Sequence, residues 1–145
     1  MAFLLLVAGL IVFWSIWGGC HSAPPSTPNT AGNRVLINGT IVVSENIYYI
    51  QFIVRNGAFN IHVNGNFAVL GGESIRVYIL NEDNFDNMGV SGYKFAPNYD
   101  SGQSTGGDIS STLPSGGTFY LLFDNRFQTS QKTLEIEATV TYYSS

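Results

Sequence analysis

The sequence predicts an all-β domain, an antiparallel β-sandwich preceded by an N-terminal apolar signal or anchor helix. Apolar and polar side chains alternate with a period of two through most of residues 34–143, which is typical of strands with one buried face. Asn-Gly and Gly-Gly pairs separate these stretches, and such pairs tolerate the positive φ angles of tight turns. No stretch after Trp17 has a helical period. These observations favour two stacked sheets around one core.

The longest alternating stretch covers residues 117–143 and predicts a β-hairpin whose two strands are joined by a polar turn. Its apolar face is formed by Phe119, Leu121, Phe123, Leu134, Ile136, Ala138, Val140 and Tyr142. A hairpin with one apolar face is not stable alone in water. The earlier strands must therefore supply the opposite wall of the core.

Earlier strands are predicted at residues 35–43, 48–55, 59–63, 67–70, 74–80 and 108–113. The Asn56-Gly57 pair predicts a hairpin turn between the second and third of these strands, and Asn64-Gly65 predicts a turn between the third and fourth. The predicted inward faces of these strands include Tyr48, Ile50, Phe52, Val54, Phe59, Ile61, Val63, Ile75, Val77 and Ile79.

The composition indicates one domain with a neutral polar surface. The chain has 145 residues, which suits a single domain of ordinary size. Charged residues make up 11%, against roughly 25% in a typical soluble domain, so Asn, Ser, Thr, Gly and Tyr must form the wet surfaces. Such a surface favours a location in the cell envelope or outside the cell. The net charge is −4 and the basic residues are scattered, so nucleic acid is not an expected partner.

Residues 1–20 are predicted to be a signal peptide or a membrane anchor. The apolar run at residues 2–17 is long for a signal peptide and short of the roughly 20 residues that span a bilayer. Cys20 follows Gly18 and Gly19, which resembles the processing site of a bacterial lipoprotein and implies lipid attachment at Cys20. An uncleaved anchor and ordinary cleavage remain the alternatives.

Residues 21–33 are predicted to be a linker, because they contain three prolines and no large apolar side chain. The folded domain is then expected at residues 34–145. Cys20 is the only cysteine in the sequence, so no disulfide is expected inside the domain.

The stretch GTFYLLFDNRFQTSQKTLEIEATVTY resembles the C-terminal hairpin of the GOLD domain. In that hairpin a Gly-x-aromatic strand ends in Phe-Asp/Asn-Asn, and a Lys opens the last strand. The matching positions are Gly117, Phe123, Asp124, Asn125 and Lys132. The resemblance implies a GOLD-like or jelly-roll-like sandwich that binds other proteins. A looser resemblance to bacterial pre-peptidase C-terminal domains also implies binding rather than catalysis.

The segment at residues 81–105 is the predicted site of any ligand, because long structureless connections in compact domains are often functional. Glu82, Asp83 and Asp86 offer hard oxygen ligands that could hold calcium. Tyr93, Phe95 and Tyr99 could form an exposed platform for a sugar or a protein, or they could fold over the core as a lid.

Catalysis has little support in the sequence. His62 is the only histidine in the predicted domain, which lacks cysteine, so the usual nucleophile and base pairs are absent. Glu135 and Glu137 point the same way on the last strand, which leaves a hydrolase as the weakest hypothesis. We expect a non-catalytic, membrane-tethered extracytoplasmic module that needs no cofactor. Its partner would be an unknown protein or, as the alternative, a carbohydrate.

Overall fold

The computed structural model describes residues 30–145, which form eight strands and one short helix. In chain order these are β1 (Thr30–Val43), β2 (Ile47–Val54), β3 (Phe59–Leu70), β4 (Ile75–Asn81), α1 (Glu82–Asp86), β5 (Tyr99–Ser104), β6 (Gly106–Leu113), β7 (Gly117–Asp124) and β8 (Lys132–Ser144). The prediction of an all-β domain built from antiparallel sheets is confirmed. The predicted N-terminal apolar helix lies outside the described residues.

The strands form two four-stranded sheets. The first sheet has the order β1-β8-β3-β6, and the second sheet has the order β2-β7-β4-β5. The antiparallel pairs β1–β8, β2–β7, β3–β6 and β4–β5 are those of one long hairpin folded over on itself. This arrangement is a jelly roll, one of the sandwich types considered above. Residues 30–145 include no helix long and apolar enough to cross a membrane.

The prediction that residues 117–143 form a hairpin is wrong. β7 lies in the second sheet and β8 lies in the first, so residues 125–131 cross from one sheet to the other. The predicted hairpin at Asn56-Gly57 is wrong for the same reason, since β2 and β3 also lie in different sheets. A period of two shows which face of a strand is buried, but two strands that face each other across a core have the same period as two that pair.

The predicted turn at Asn64-Gly65 is also wrong, because β3 runs through it without a break. Gly65 lies opposite Ala138 of β8. A side chain at Gly65 would collide with the backbone of Glu137 and Ala138. This glycine therefore allows two strands to approach closely and does not serve a turn.

The inward face of the last two strands is predicted correctly. Phe119, Leu121 and Phe123 are buried in the main core between the sheets. The matching residues of β8, namely Leu134, Ile136, Ala138 and Val140, are buried there too, and Tyr142 is partly buried against them.

Two side chains that we expected to face inward are exposed instead, Tyr48 and Phe59. The register of β3 against β8 shifts between Phe59 and His62, and Asn60 has a φ of 50°. This bulge turns Phe59 away from the core, and its ring stacks on Tyr143 with centroids 6.0 Å apart.

The folded part is larger than predicted at two places. β1 begins at Thr30 inside the predicted linker, because residues 30–33 pair with residues 141–144 of β8. The segment at residues 81–105 is not structureless, since it contains α1 and β5. α1 has only five residues, which is too short for a helical period to be visible in the sequence.

Replacing Leu121 by Ala should lower the free energy of unfolding by roughly 2–5 kcal/mol, because the change leaves a cavity in the main core. Val42 is exposed on β1, so Val42→Ala is the control and should change stability by less than about 0.5 kcal/mol. Denaturant unfolding of the full chain measures both values. A negligible effect of Leu121→Ala would contradict the assignment of the inward face.

Candidate functional site

Residues 82–98 connect β4 to β5 and cover part of the outer face of the second sheet. Asn81 caps α1, and its side-chain oxygen accepts hydrogen bonds from the Asn84 backbone N–H at 2.9 Å and from the Asn84 side chain at 2.6 Å. The buried Asn84 side chain in turn accepts the N–H of Ala96 at 2.8 Å. These two asparagines therefore fix the segment at both ends.

Aromatic rings fill the space between this segment and the sheet. Phe85 stacks on Tyr120 with centroids 3.8 Å apart, and Phe95 meets Tyr78 edge to face at 5.5 Å. Tyr49 of β2 meets Phe85 at 4.9 Å and Tyr120 at 5.8 Å. We call these five residues the outer aromatic cluster. The cluster is a second small core, built on the face of the sheet opposite to the main core.

β2 forms one edge of the second sheet, next to the outer aromatic cluster. Its outward side chains include Tyr49, which is 49% exposed, and Ile53, which is 65% exposed. Gln51 lies between them and donates a hydrogen bond to the Tyr120 hydroxyl at 3.3 Å. None of the eight residues of β2 is charged. The strand therefore presents apolar side chains beside an unpaired backbone edge.

The other three edge strands have features that hinder pairing with another chain. β1 carries Arg34 and has a register shift between Val35 and Ile37. β5 has only six residues and carries the charged Asp100, and β6 carries Asp108. β2 pairs with β7 along its whole length without a register shift. Among the strands that the structure describes, β2 is the edge best suited to accept a further strand.

Two ion pairs stabilise the second sheet at the end that is distant from α1. Arg76 binds Asp100 through two hydrogen bonds of 2.8 and 2.6 Å, and its guanidinium lies 5.2 Å from the centre of the Tyr78 ring. The hydrogen bond from Arg76 lowers the pKa of Asp100. Arg126 binds the fully buried Asp124 in the same way, at 2.9 and 2.7 Å.

The three rings predicted as a platform have different surroundings. Phe95 belongs to the outer aromatic cluster, whereas Tyr99 packs against the main core. The Tyr99 hydroxyl donates to the backbone oxygen of Asp108 at 2.8 Å, and burial raises the pKa of Tyr99. Tyr93 is half-buried in the turns between them. The structure thus places Phe95 and Tyr99 on opposite sides of the second sheet.

The acidic residues considered for calcium lie on α1. Glu82 and Asp83 occupy its first turn, where carboxylates favour the helix N-terminus, and Asp86 is its last residue. Within residues 30–145 no group of three or more His, Cys, Asp or Glu side chains is arranged to hold a metal ion. The structure therefore does not assemble these three carboxylates into a metal site.

The side chains considered for catalysis lie on the open face of the first sheet. Glu135 and Glu137 are exposed on β8, opposite Thr40 and Asn38 of β1. His62 is exposed on β3, and its Nδ1 lies 3.1 Å from the Thr112 hydroxyl. These contacts are those of a solvated sheet surface.

Two of the positions that match the GOLD hairpin, Asn125 and Lys132, connect the two sheets at one end of the sandwich. The Asn125 side chain donates to the backbone oxygens of Ser44 and Ser130, both at 2.8 Å. Lys132 is 1% exposed, and its Nζ donates to Glu73 and to the Ser130 hydroxyl. These residues tie the β7–β8 crossing to the β1–β2 turn. Sequence reasoning identified the positions but not this structural role.

Replacing Asp100 by Asn should remove the ion pair with Arg76 while keeping an oxygen for the N–H of Gly102. Because the folded-state pKa of Asp100 is lowered, its contribution is present above the ordinary value of 3.8 and is lost as the pH falls below it. We expect a stability loss of about 0.2–1 kcal/mol at pH 7 that disappears near pH 2.

Unfolding midpoints of both proteins between pH 2 and about pH 7 measure this difference. Glu135→Gln is the control, since Glu135 is exposed and makes no ion pair within residues 30–145. A stability difference that is independent of pH would show that the Arg76 pair is not its source.

Comparisons with known proteins give structural similarity only. No family model matches the sequence, and no curated protein matches it, so the GOLD resemblance is not confirmed. One similar structure is the pre-peptidase C-terminal domain of a collagenase from Bacillus anthracis, with 15% identity, 76% of this chain and 88% of that chain covered, and a TM-score of 0.39.

Two further structures are similar to the same extent. PliG, a periplasmic inhibitor of g-type lysozyme from Aeromonas hydrophila, shares 7% identity over 81% of this chain and 89% of its own, with a TM-score of 0.39. A structure of Bacillus endospore appendages, described as disulfide-linked pili, shares 15% identity over 86% of this chain and 97% of its own, with a TM-score of 0.40. At these TM-scores the similarity says nothing about function.

Proposed function

We propose that this chain is a non-catalytic protein-interaction module whose edge strand β2 binds an extended segment of another polypeptide. The observation that carries the proposal is the edge itself. β2 is uncharged and regular, and its backbone groups facing away from β7 have no strand partner within residues 30–145. An added strand would satisfy these groups, and Tyr49 and Ile53 would contact its side chains.

The proposed module lies outside the cytoplasm, attached to a membrane by its N-terminus. This part of the proposal is supported by the apolar run at residues 2–17, by the low content of charged residues, 11%, and by Cys20 after two glycines. Because β1 begins at Thr30, the tether would be residues 21–29. These residues include three prolines, which favour an extended spacer.

A glycan partner is the second candidate, and it has one structural observation in its favour. Phe59 and Tyr143 stack on each other while both remain exposed. Tyr143, Asn60 and His62 line a cleft of about 550 Å³ beside them. A ring flanked by amide and imidazole groups suits a sugar. This cleft lies on the first sheet, away from residues 81–105, where the sequence places the sugar platform.

Photo-cross-linking in native membranes tests the favoured function. A photoreactive phenylalanine analogue at position 53 of the full chain should form protein adducts, because Ile53 points away from the domain beside the open edge. The matched control is position 35, since Val35 is 60% exposed on the edge strand β1. We expect several-fold more adduct from position 53. Equal labelling at both positions, or none at either, would contradict the proposal.

Mass spectrometry of the native protein tests the proposed attachment. A mature N-terminus at Cys20 with the mass of several acyl chains is expected, because a single chain binds a bilayer only marginally. An intact Met1 start would indicate an uncleaved anchor. A start downstream of Cys20 would show a released domain and would overturn the tether.

A further inference from the structure

We propose that the strand that binds β2 is β2 of a second copy of this chain, antiparallel to the first. This inference rests on the proposed function of the β2 edge. A two-fold axis perpendicular to the sheet would relate the two copies and would join the second sheets of both into one continuous sheet of eight strands.

The only charged residues at the ends of β2 are of opposite sign. Glu45 precedes the strand by two residues, and Arg55 follows it directly. Both are exposed, and neither forms an ion pair within residues 30–145. Antiparallel pairing of two copies brings Glu45 of each to Arg55 of the other, whereas parallel pairing would place like charges together. The strand is thus complementary to itself in one orientation.

The side chains of β2 favour a register centred on Ile50. Because side chains alternate, residues on the outer face must meet residues on the outer face. Centring on Ile50 places Ile47 opposite Ile53 and Tyr49 opposite Gln51, and it brings the bend that carries Glu45 close to Arg55 of the other copy. Centring on Gln51 would instead place Ile47 opposite Arg55, an apolar side chain against a charge.

Residues 21–29 are poorly suited by sequence to occupy this edge. The residues directly before β1 include Pro24, Pro25 and Pro28, and a proline has no N–H to donate to a neighbouring strand.

The interface formed by pairing two eight-residue strands is smaller than that of a stable dimer, which buries at least about 1,000 Å². We therefore expect a dimer that dissociates in the micromolar range and is favoured by the high local concentration of a membrane-bound chain.

Reversal of single charges at the ends of β2, measured on the full chain in detergent, tests the pairing. Glu45→Lys and Arg55→Glu should each raise the dissociation constant roughly tenfold, because two attractive contacts per dimer become repulsive. The double variant should restore the wild-type constant. Sedimentation of each protein over a concentration series measures these values. The matched control is Arg34→Glu on β1, which should leave the constant unchanged. Circular dichroism checks that all variants fold.

Cysteine cross-linking tests the register in the Cys20→Ser chain. Directly opposed residues of an antiparallel pair have Cβ atoms about 4.5–5.5 Å apart, within reach of a disulfide after small adjustments. Mixing Tyr49→Cys chains with Gln51→Cys chains should give mixed dimers under mild oxidation, and neither variant should link to itself. Self-linking of Gln51→Cys would overturn the register.

The outcomes separate this inference from the proposed function. A chain that stays monomeric at tens of micromolar, or a double charge variant that is not rescued, overturns self-pairing. If position 53 then still forms adducts with a different protein, the interaction module stands and only the identity of its partner changes. If position 53 forms no protein adduct and the chain is monomeric, both proposals fail.

Discussion

The burial of β7 on both faces is the constraint on which the rest of this structure depends. Phe119, Leu121 and Phe123 face the main core, while Tyr120 and Leu122 face outward and are buried as well. A strand with no wet face needs a cover on each side. The first sheet is one cover, and the segment that contains α1 is the other.

The second cover is smaller than the sheet, and this difference in size creates the candidate site. Phe85 stacks on Tyr120 and contacts Tyr49, so the cover extends over the outer face of the second sheet as far as Tyr49 of β2. Ile53 lies beyond it and stays exposed. The jelly-roll order then leaves β2 without a neighbour on its other side. The same arrangement therefore explains two features. The central strand β7 is covered on both faces, and the edge strand β2 is covered only in part.

Sequence alternation predicts the faces of the strands but not their neighbours. It identified the inward residues of β7 and β8, because burial depends on a periodicity that is local in sequence. It failed at the hairpins. A strand that pairs with the previous strand in the same sheet and a strand that crosses to the opposite sheet show the same alternation. Gly65 was misread since its close contact with Glu137 exists only after β8 has paired with β3.

The candidate site could be predicted in composition but not in position. The run IYYIQFIV is visibly uncharged, and Tyr120 and Leu122 make FYLLF continuously apolar, which indicates burial on both faces. No local pattern shows that the first of these runs lies at an edge, because an edge is defined by the absence of a neighbour. The sequence therefore predicts ligand binding at residues 81–105, but the rings of this segment are used largely in packing.

An uncharged edge is a risk of aggregation unless its pairing is limited to one partner. In the proposed dimer the limits would be set by Glu45 and Arg55 at the two ends of β2, and by the β1 edge, which carries a charge and a register shift. Opposite charges at the ends of a strand permit one antiparallel neighbour and oppose a parallel one. Once that neighbour has bound, β2 is an interior strand and has no second free edge. Self-pairing through β2 would therefore stop at two copies, which is the physical difference between a closed dimer and an open fibre.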